Sequence, residues 1–484
     1  MRTRWRLRAL FALGCVVAGL SHGLDEVAQP TESSFFQPQG KSYGVFHNVL
    51  LQEKGLLYFQ NDTEHGHPNA TSPVVPELQS ITEANWWWPD ASAWKAEGVS
   101  RYNATQLQSK CTSWVEQPTI IWQGMPVDDH NIFHFFSDNL LRVFTTLADL
   151  GLLDVNTSMA RDLVPSSQEA NLVLLQLNSR SWSSKFHELY DHLTPDQWSF
   201  PHGVGACYRT LVIGSDSNVQ CYVRADSQEQ QERRIAAQSR FRQWALAKQL
   251  QIDEGRGRAI VHPPESQGRM QIKLIQRARN TAGGSRGIVN EDEIISAIQE
   301  RYGDIADVSL VNFNGSLSTA MLAMNATDVL LGMHGAGMAN VLWMRPQGAV
   351  VQLVPYGWRR PSSPPPPNPP EASVGIETLS RNANATYFFW ENFRPEHAHL
   401  SRAHYDSEVK RATSEQRRRI HDWQQHPAGG WAEQEKQFRS QFNTGGEMYD
   451  HWKAQDTYVD LDSFMPVVDQ AVKAVRSNNK AWAP

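Results

Sequence analysis

The chain has 484 residues, enough for two domains of ordinary size, so two cores with a cleft between them are expected rather than one. Its net charge of −6 is mild, charged residues make up only 20% and no basic stripe stands out. That composition lacks the electrostatic footprint of a nucleic-acid binder, so nucleic acid is not an expected partner.

Residues 1–23 begin with the basic run Met1-Arg-Thr-Arg-Trp-Arg-Leu-Arg and continue through an apolar stretch from Ala9 to Leu20. The stretch falls short of the roughly 20 residues that a spanning helix needs, and it has the form of a secretory signal peptide or signal anchor. Membrane contact is therefore expected only through this segment, if it is uncleaved. Asn61, Asn69, Asn103, Asn156, Asn314 and Asn384 each sit in an Asn-x-Ser/Thr sequon and support the same secretory route. A further sequon at Asn325 lies in a segment that reads as buried. In an oxidising compartment the cysteines are expected to pair. Cys207 and Cys221 flank a strand and turn and are the expected local disulfide, with Cys111 left over.

Residues 24–117, rich in Pro, Asn, Ser and Trp, read as an irregular stem or cap. The run Trp86-Trp-Trp-Pro within it is either a staple onto the body or a platform for stacking a sugar. From residue 118 to 255 the pattern turns α/β. Strands are expected near Thr119–Trp122, Asn171–Leu177 and Thr210–Gly214, and helices over Ile132–Leu150 and about Ser227–Leu250. The polar stretch near Glu254–Arg269 marks a boundary.

A second α/β series follows over residues 270–400. Its expected elements are a strand at Ile272–Arg277, a helix at Glu291–Arg301, a strand at Val308–Val311 and a helix near Leu317–Met324. The apolar run Asp328–Met333 then enters the turn His334-Gly335-Ala336-Gly337, a helix-compatible segment and a last strand toward Pro355. Alternating strands and helices argue for mostly parallel sheets covered on both faces. The expected fold is thus α/β, with two Rossmann-like domains facing a cleft. Pro361–Pro370 reads as an extended proline-rich insertion, and 401–484 as a charged, helical extension.

Two constellations carry chemistry. On an α-helix, His130, His134 and Asp138 would share one face at i, i+4 and i+8, and a carboxylate one turn from an imidazole can poise it as a base. These residues admit three readings: a catalytic or substrate-binding group, a structural helix end, or a metal site, which would need further ligands and lacks a His-Glu-x-x-His pattern. In the second constellation, Arg277 at a strand end, with Arg279 and Arg286 after it, can pair with a pyrophosphate. The glycine turn and the helix start behind it add backbone amides and a favourable dipole.

The segments Asn131–Phe144, Arg277 with Arg286–Glu293, Gly332–Asn340 and Pro346–Pro355 together resemble glycosyltransferase family 61. The resemblance implies an inverting transferase of the two-domain GT-B type, working in the lumen of the endoplasmic reticulum or Golgi. Its co-substrate would be a UDP-sugar, with xylose or N-acetylglucosamine as the sugar and a glycan or glycoprotein as acceptor. It implies no required cofactor or metal. By position, Arg277, Arg286, His334, Gly335, Ala336, Gly337 and Asn340 would hold the donor, Asn131 would contribute to substrate binding, and His134 and Asp138 would be the catalytic pair. Competing classes are a non-catalytic carbohydrate-binding protein on the same fold and a metal-dependent hydrolase centred on His130, His134 and Asp138.

Overall fold

The computed structural model describes residues 35–38, 43–52, 55–58, 111, 113–116, 118–121, 131–150, 173–176, 197–199, 206–215, 219, 221, 224–258, 260, 268–277, 286–313, 316–358, 368–370, 373–400, 414, 418 and 455–478. The leader, the tryptophan run, the sequons at Asn61, Asn69, Asn103, Asn156 and Asn314, and most of the proline-rich insertion and charged extension lie outside them.

The first sheet is built from β1 (Phe35–Pro38), β2 (Tyr43–Gln52), β3 (Gly55–Tyr58), β4 (Ser113–Val115), β5 (Thr119–Ile121), β6 (Val173–Gln176), β7 (Gln197–Ser199) and β8 (Ala206–Gly214). Its order is β1-β2-β8-β5-β6-β7, with β3 on β2 and β4 on β8. The strands from β4 to β8 pair in parallel, whereas β1, β2 and β3 are antiparallel additions. The segment expected to be an irregular stem therefore supplies four strands, because β2 finds its partner in β8, some 160 positions away in the chain (Val45 opposite Val212). β4 also brings Cys111 to Cys207, since Trp114 stands opposite Cys207. The disulfide is Cys111–Cys207, and Cys221 is buried and takes no part in it. This corrects the expected Cys207–Cys221 pair: Cys207 sits at the start of β8 and Cys221 lies beyond its far end, and a strand of this kind advances about 3.3 Å per residue.

The second sheet comprises β9 (Met270–Ile275), β10 (Ala306–Val311), β11 (Val329–Met333), β12 (Ala349–Val354) and β13 (Thr386–Glu391) in the order β10-β9-β11-β12-β13. Every pairing in it is parallel. Read in chain order this is 2-1-3-4-5, a doubly wound arrangement whose direction of winding reverses between β9 and β11, where ligands bind beyond the strands' carboxyl ends. β14 (Ala398–Leu400) and β15 (Gln455–Thr457) form a separate antiparallel pair.

Among the described residues the α-helices include, in chain order, α1 (Leu141–Asp149), α2 (Gln228–Gly255), α3 (Glu291–Tyr302), α4 (Leu317–Asn325), α5 (Val374–Asn382) and α6 (Leu461–Asn478). The central strands β11 and β12 are buried at every position because both faces of the sheet are covered there. On one face Val329, Leu331, Met333, Val351 and Leu353 pack against Ile294 and Ile298 of α3 and Phe464, Val468 and Val472 of α6. On the other, Leu330 and Val350 meet α4, α5 and α2, in a core that continues into the first half of the chain. At the centre of that shared core Trp343 makes an edge contact with Phe136 at 4.9 Å between ring centroids and lies 5.9 Å from Phe241. Burying such rings fastens the two α/β halves together, each aromatic pair adding about 0.5–1.5 kcal/mol beyond the area it buries. Among the described residues no helix is long and apolar enough to cross a membrane.

Candidate functional site: two arginines on a glycine turn

β9 ends at Ile275 and delivers Arg277 to the reversal point, while β11 ends at Met333 and delivers His334 beside it. Nη1 of Arg277 and Nη1 of Arg286 both donate to the carbonyl oxygen of His334, at 3.2 and 3.1 Å. Two guanidinium groups thus converge on one backbone oxygen. Gly335 follows with φ +153° and ψ −179°, a conformation close to glycine-only. A Cβ there would collide with the Arg277 guanidinium and stand 3.2 Å from Cζ of Arg286. The turn has this shape, and this residue, because the arginines lie against it.

Burial lowers the Arg277 guanidinium from its ordinary range, and the nearby Asp456 carboxylate acts in the opposite direction. Asp456 also accepts from the Gly287 amide at 2.7 Å. The loop carrying Arg286 is held further by Val289 N to Thr457 O and Thr457 N to Gly287 O, both 2.9 Å. Asn290 completes the attachment: its side-chain amide bonds both the N–H and the C=O of Val459, each at 2.9 Å. The Arg286 guanidinium sits 5.7 Å from the Trp358 ring centroid, within cation–π range.

The His334 ring lies 4.3 Å from Trp358, between centroids, and its Nδ1 bonds Nε2 of Gln352. With the amide nitrogen as donor, Nδ1 accepts and the ring proton is carried on Nε2. Oε1 of Gln352 in turn accepts from the Tyr387 hydroxyl at 2.6 Å. Gln352 is wholly buried, so these bonds satisfy an amide that would otherwise be costly to enclose. Burial, and after it the Glu377 carboxylate, holds the Tyr387 hydroxyl well above its ordinary pKa.

Ala336 and Gly337 begin a segment that runs to Trp343 as a 3-10 helix rather than an α-helix, its first bond joining Met338 N to Gly335 O at 2.9 Å. The expected helix start is therefore a tighter coil, whose hydrogen-bond geometry is poorer. Asn340 is buried beneath the turn and donates to Gly337 O at 2.9 Å, which sets the turn's shape from below.

The His134 constellation also departs from α-helical spacing. His134–Leu140 is a π-helix, closed where the Leu141 amide bonds the Phe136 carbonyl, five residues back. At that pitch positions i and i+4 no longer stack as they do in an α-helix, and π segments concentrate at functional sites. Asn131 caps the entry: its side-chain oxygen accepts from Phe133 N at 3.1 Å and its carbonyl from Phe135 N at 2.9 Å. His134 is half-buried. His130, Arg279 and the side chain of Asp138 lie outside the described residues. Through Phe136 on Trp343, this π segment packs directly on the 3-10 helix that starts after Gly335. Among the described residues no group of three or more His, Cys, Asp or Glu side chains is placed to hold a metal.

Gln352, Tyr387, Trp358 and Asp456 did not emerge from the sequence. Only Gln352 carried a signal, as an amide inside the apolar run Ala349–Val354. Of the sequons, Asn384 is exposed in the turn between α5 and β13, with φ +55°. Asn325 is also exposed, at the end of α4, which corrects the buried reading of its segment.

Residues 132–351, which contain His134, Asp138, Arg277, Arg286 and the glycine turn, match the family Glycosyltransferase 61, in agreement with the resemblance carried by those segments. Among curated proteins it is similar to a β-1,2-xylosyltransferase of Oryza sativa subsp. japonica, 23% identical over 319 residues, 59% of this chain and 59% of that one. An α-1,3-arabinosyltransferase of the same plant is 24% identical over 303 residues, 60% of this chain and 47% of its own. A protein O-linked-mannose β-1,4-N-acetylglucosaminyltransferase 2 of Takifugu rubripes is 24% identical over 458 residues, 87% of this chain and 65% of its own. The matched stretches thus take in about half to two thirds of these relatives' lengths.

Proposed function

We propose that this chain is an inverting glycosyltransferase of the GT-B type that moves a sugar, xylose or N-acetylglucosamine, from UDP to a glycan or glycoprotein in the lumen of the secretory pathway. The observation that carries the reading is the convergence of Arg277 and Arg286 on the His334–Gly335 turn at the winding reversal of a parallel sheet. Guanidinium groups match phosphate oxygens with paired hydrogen bonds, and a pyrophosphate is the leaving group that most needs them. The relatives, named as xylosyl-, arabinosyl- and N-acetylglucosaminyltransferases, point to the same class of chemistry.

In this reading an acceptor hydroxyl loses its proton to a base supplied by the His134–Asp138 segment, and its oxygen forms a bond to the anomeric carbon. The bond from that carbon to the UDP oxygen breaks on the opposite face, so the configuration inverts. Arg277 and Arg286 take up the charge developing on the diphosphate, and His334, with its ring proton on Nε2, adds a donor. Because these groups are held before the donor arrives, they stabilise the transition state without reorganising.

The test is UDP binding and UDP release by the whole chain with UDP-xylose and UDP-N-acetylglucosamine, beside Arg277→Gln. Binding with acceptor-dependent release, reduced at least 100-fold by the substitution, is the expected result. A wild-type chain that binds no UDP refutes the proposal. One that binds sugars but never releases UDP, with or without the substitution, is a carbohydrate-binding protein.

A further inference from the structure

A cavity of about 490 Å³ opens at the β13 edge of the second sheet, where α5, β13 and the approach to α2 meet. Its volume falls in the range of small-molecule sites, roughly 300–1,000 Å³. Arg224, Asn368, Glu377, Arg381, Tyr387 and Phe389 line it.

Tyr387 and Phe389 are two residues apart on β13, so their rings leave the same face of the strand. The rings are stacked, 6.5 Å apart between centroids and inclined by only 18°, and together form an aromatic wall of the cavity. Such a surface suits the apolar face of a pyranose ring. Above it lies a cationic clamp. The Glu377 carboxylate is buried, its side chain 4% exposed, and is bracketed by two arginines that are about half exposed, at 51% and 58%. Arg224 donates Nε and Nη2 to Glu377 Oε2 at 3.2 and 2.7 Å. Arg381 bonds Oε1 through Nε at 3.2 Å and Nη2 at 3.1 Å. Within this trio two positive charges face one negative, and Nη1 of each arginine takes no part in these bonds.

The wall is also joined to the site already described. The Tyr387 hydroxyl bonds Gln352, and Gln352 bonds His334, so a ring that lines the cavity fixes the imidazole at the diphosphate site.

We propose that this cavity is a subsite for an anionic sugar residue of the acceptor, its ring stacked on Tyr387 and Phe389 and its carboxylate or phosphate met by Arg224 and Arg381. Its assignment to the acceptor rests on the transferase reading; its capacity to bind does not.

Saturation-transfer NMR and calorimetric titration of the whole chain with methyl β-glucuronide, glucose 6-phosphate and neutral methyl glucoside test it. The expected result is that one of the two anionic probes binds at least tenfold more tightly than methyl glucoside, the tighter one identifying the carboxylate or the phosphate. That preference should fall tenfold or more in Arg381→Gln and in Arg224→Gln, and persist in Arg277→Gln. Phe389→Leu should weaken all three probes. Denaturation midpoints establish that each variant is folded, and the exposed arginines give two independent variants if one is not. Equal binding of anionic and neutral probes, or no binding at all, overturns the proposal. So does a preference lost only in Arg277→Gln, which would seat the anion on the other arginines. UDP release with a neutral acceptor alongside any of these failures leaves the transferase reading standing, whereas probe binding without turnover leaves the subsite and removes its role in transfer.

Discussion

Replacing Gly335 with alanine isolates the feature on which the donor site turns. At φ +153° and ψ −179° an L residue occupies a region used almost only by glycine, at a cost of roughly 1–3 kcal/mol. The added methyl also collides with the Arg277 guanidinium, which must leave its place on the His334 carbonyl. A hydrogen bond to a charged group contributes about 1.5–3 kcal/mol, and about 1.4 kcal/mol is tenfold in affinity. UDP affinity is therefore expected to fall roughly 10- to 100-fold, with a loss of stability of about 1–3 kcal/mol from the backbone. Gly337→Ala is the control two residues along. Its φ is not positive, and its nearest neighbour, Cγ2 of Ile275, stands at an ordinary 3.6 Å, so that variant should keep wild-type stability. Urea denaturation and calorimetric UDP titration on the two variants side by side make the measurement. If Gly335→Ala matched Gly337→Ala in both, the placement of the arginines against this turn would be wrong.

Three other outcomes are expected. Gln352→Leu removes the hydrogen bonds to the His334 Nδ1 and the Tyr387 hydroxyl, both on half-buried side chains, and should cost about 0.5–1.5 kcal/mol per bond, read from the denaturation midpoint; an unchanged midpoint would contradict the bonded chain of side chains. Trp343→Ala should cost about 3–5 kcal/mol, since it empties the junction of the two halves. Trp343→Phe should cost clearly less, because it keeps most of the contact and removes a buried indole N–H that has no partner among the described residues. Peptide mapping without reduction should give a linked Cys111/Cys207 fragment that does not include Cys221. Cys111→Ser, which reopens a loop of 96 residues, should cost about 4–5 kcal/mol in the chain-entropy account, and Cys221→Ser far less.

The second sheet was legible because its signals are local. A strand buried on both faces reads as an unbroken apolar run, as Val329–Met333 and Ala349–Val354 do, and the helices between such strands show their own period. Arg277 and His334 could be placed at strand ends from those runs alone. The first sheet was harder. Tyr43–Gln52 carries His47 and Asn48 at its middle and is a strand because β8 pairs with it from far along the chain, which no local window contains. The π pitch of His134–Leu140 was equally hidden. Its residues suit an α-helix, and the packing of Phe136 against Trp343 and Phe241 belongs to tertiary structure. Asp456 is the extreme case, a lone carboxylate near a helix whose part is visible only once β15 lies against the Arg286 loop.

That attachment orders events during synthesis. Because Asp456, Thr457 and Val459 hold the loop between Gly287 and Asn290, and α6 closes one face of the parallel sheet, the arginine pocket cannot assume its working shape while only the first 450 or so residues have left the ribosome. Until then Val329, Leu331 and Met333 present an oily surface to the crowded lumen or cytosol. A nascent chain of this protein should engage chaperones late, and shed them once residues 455–475 have docked.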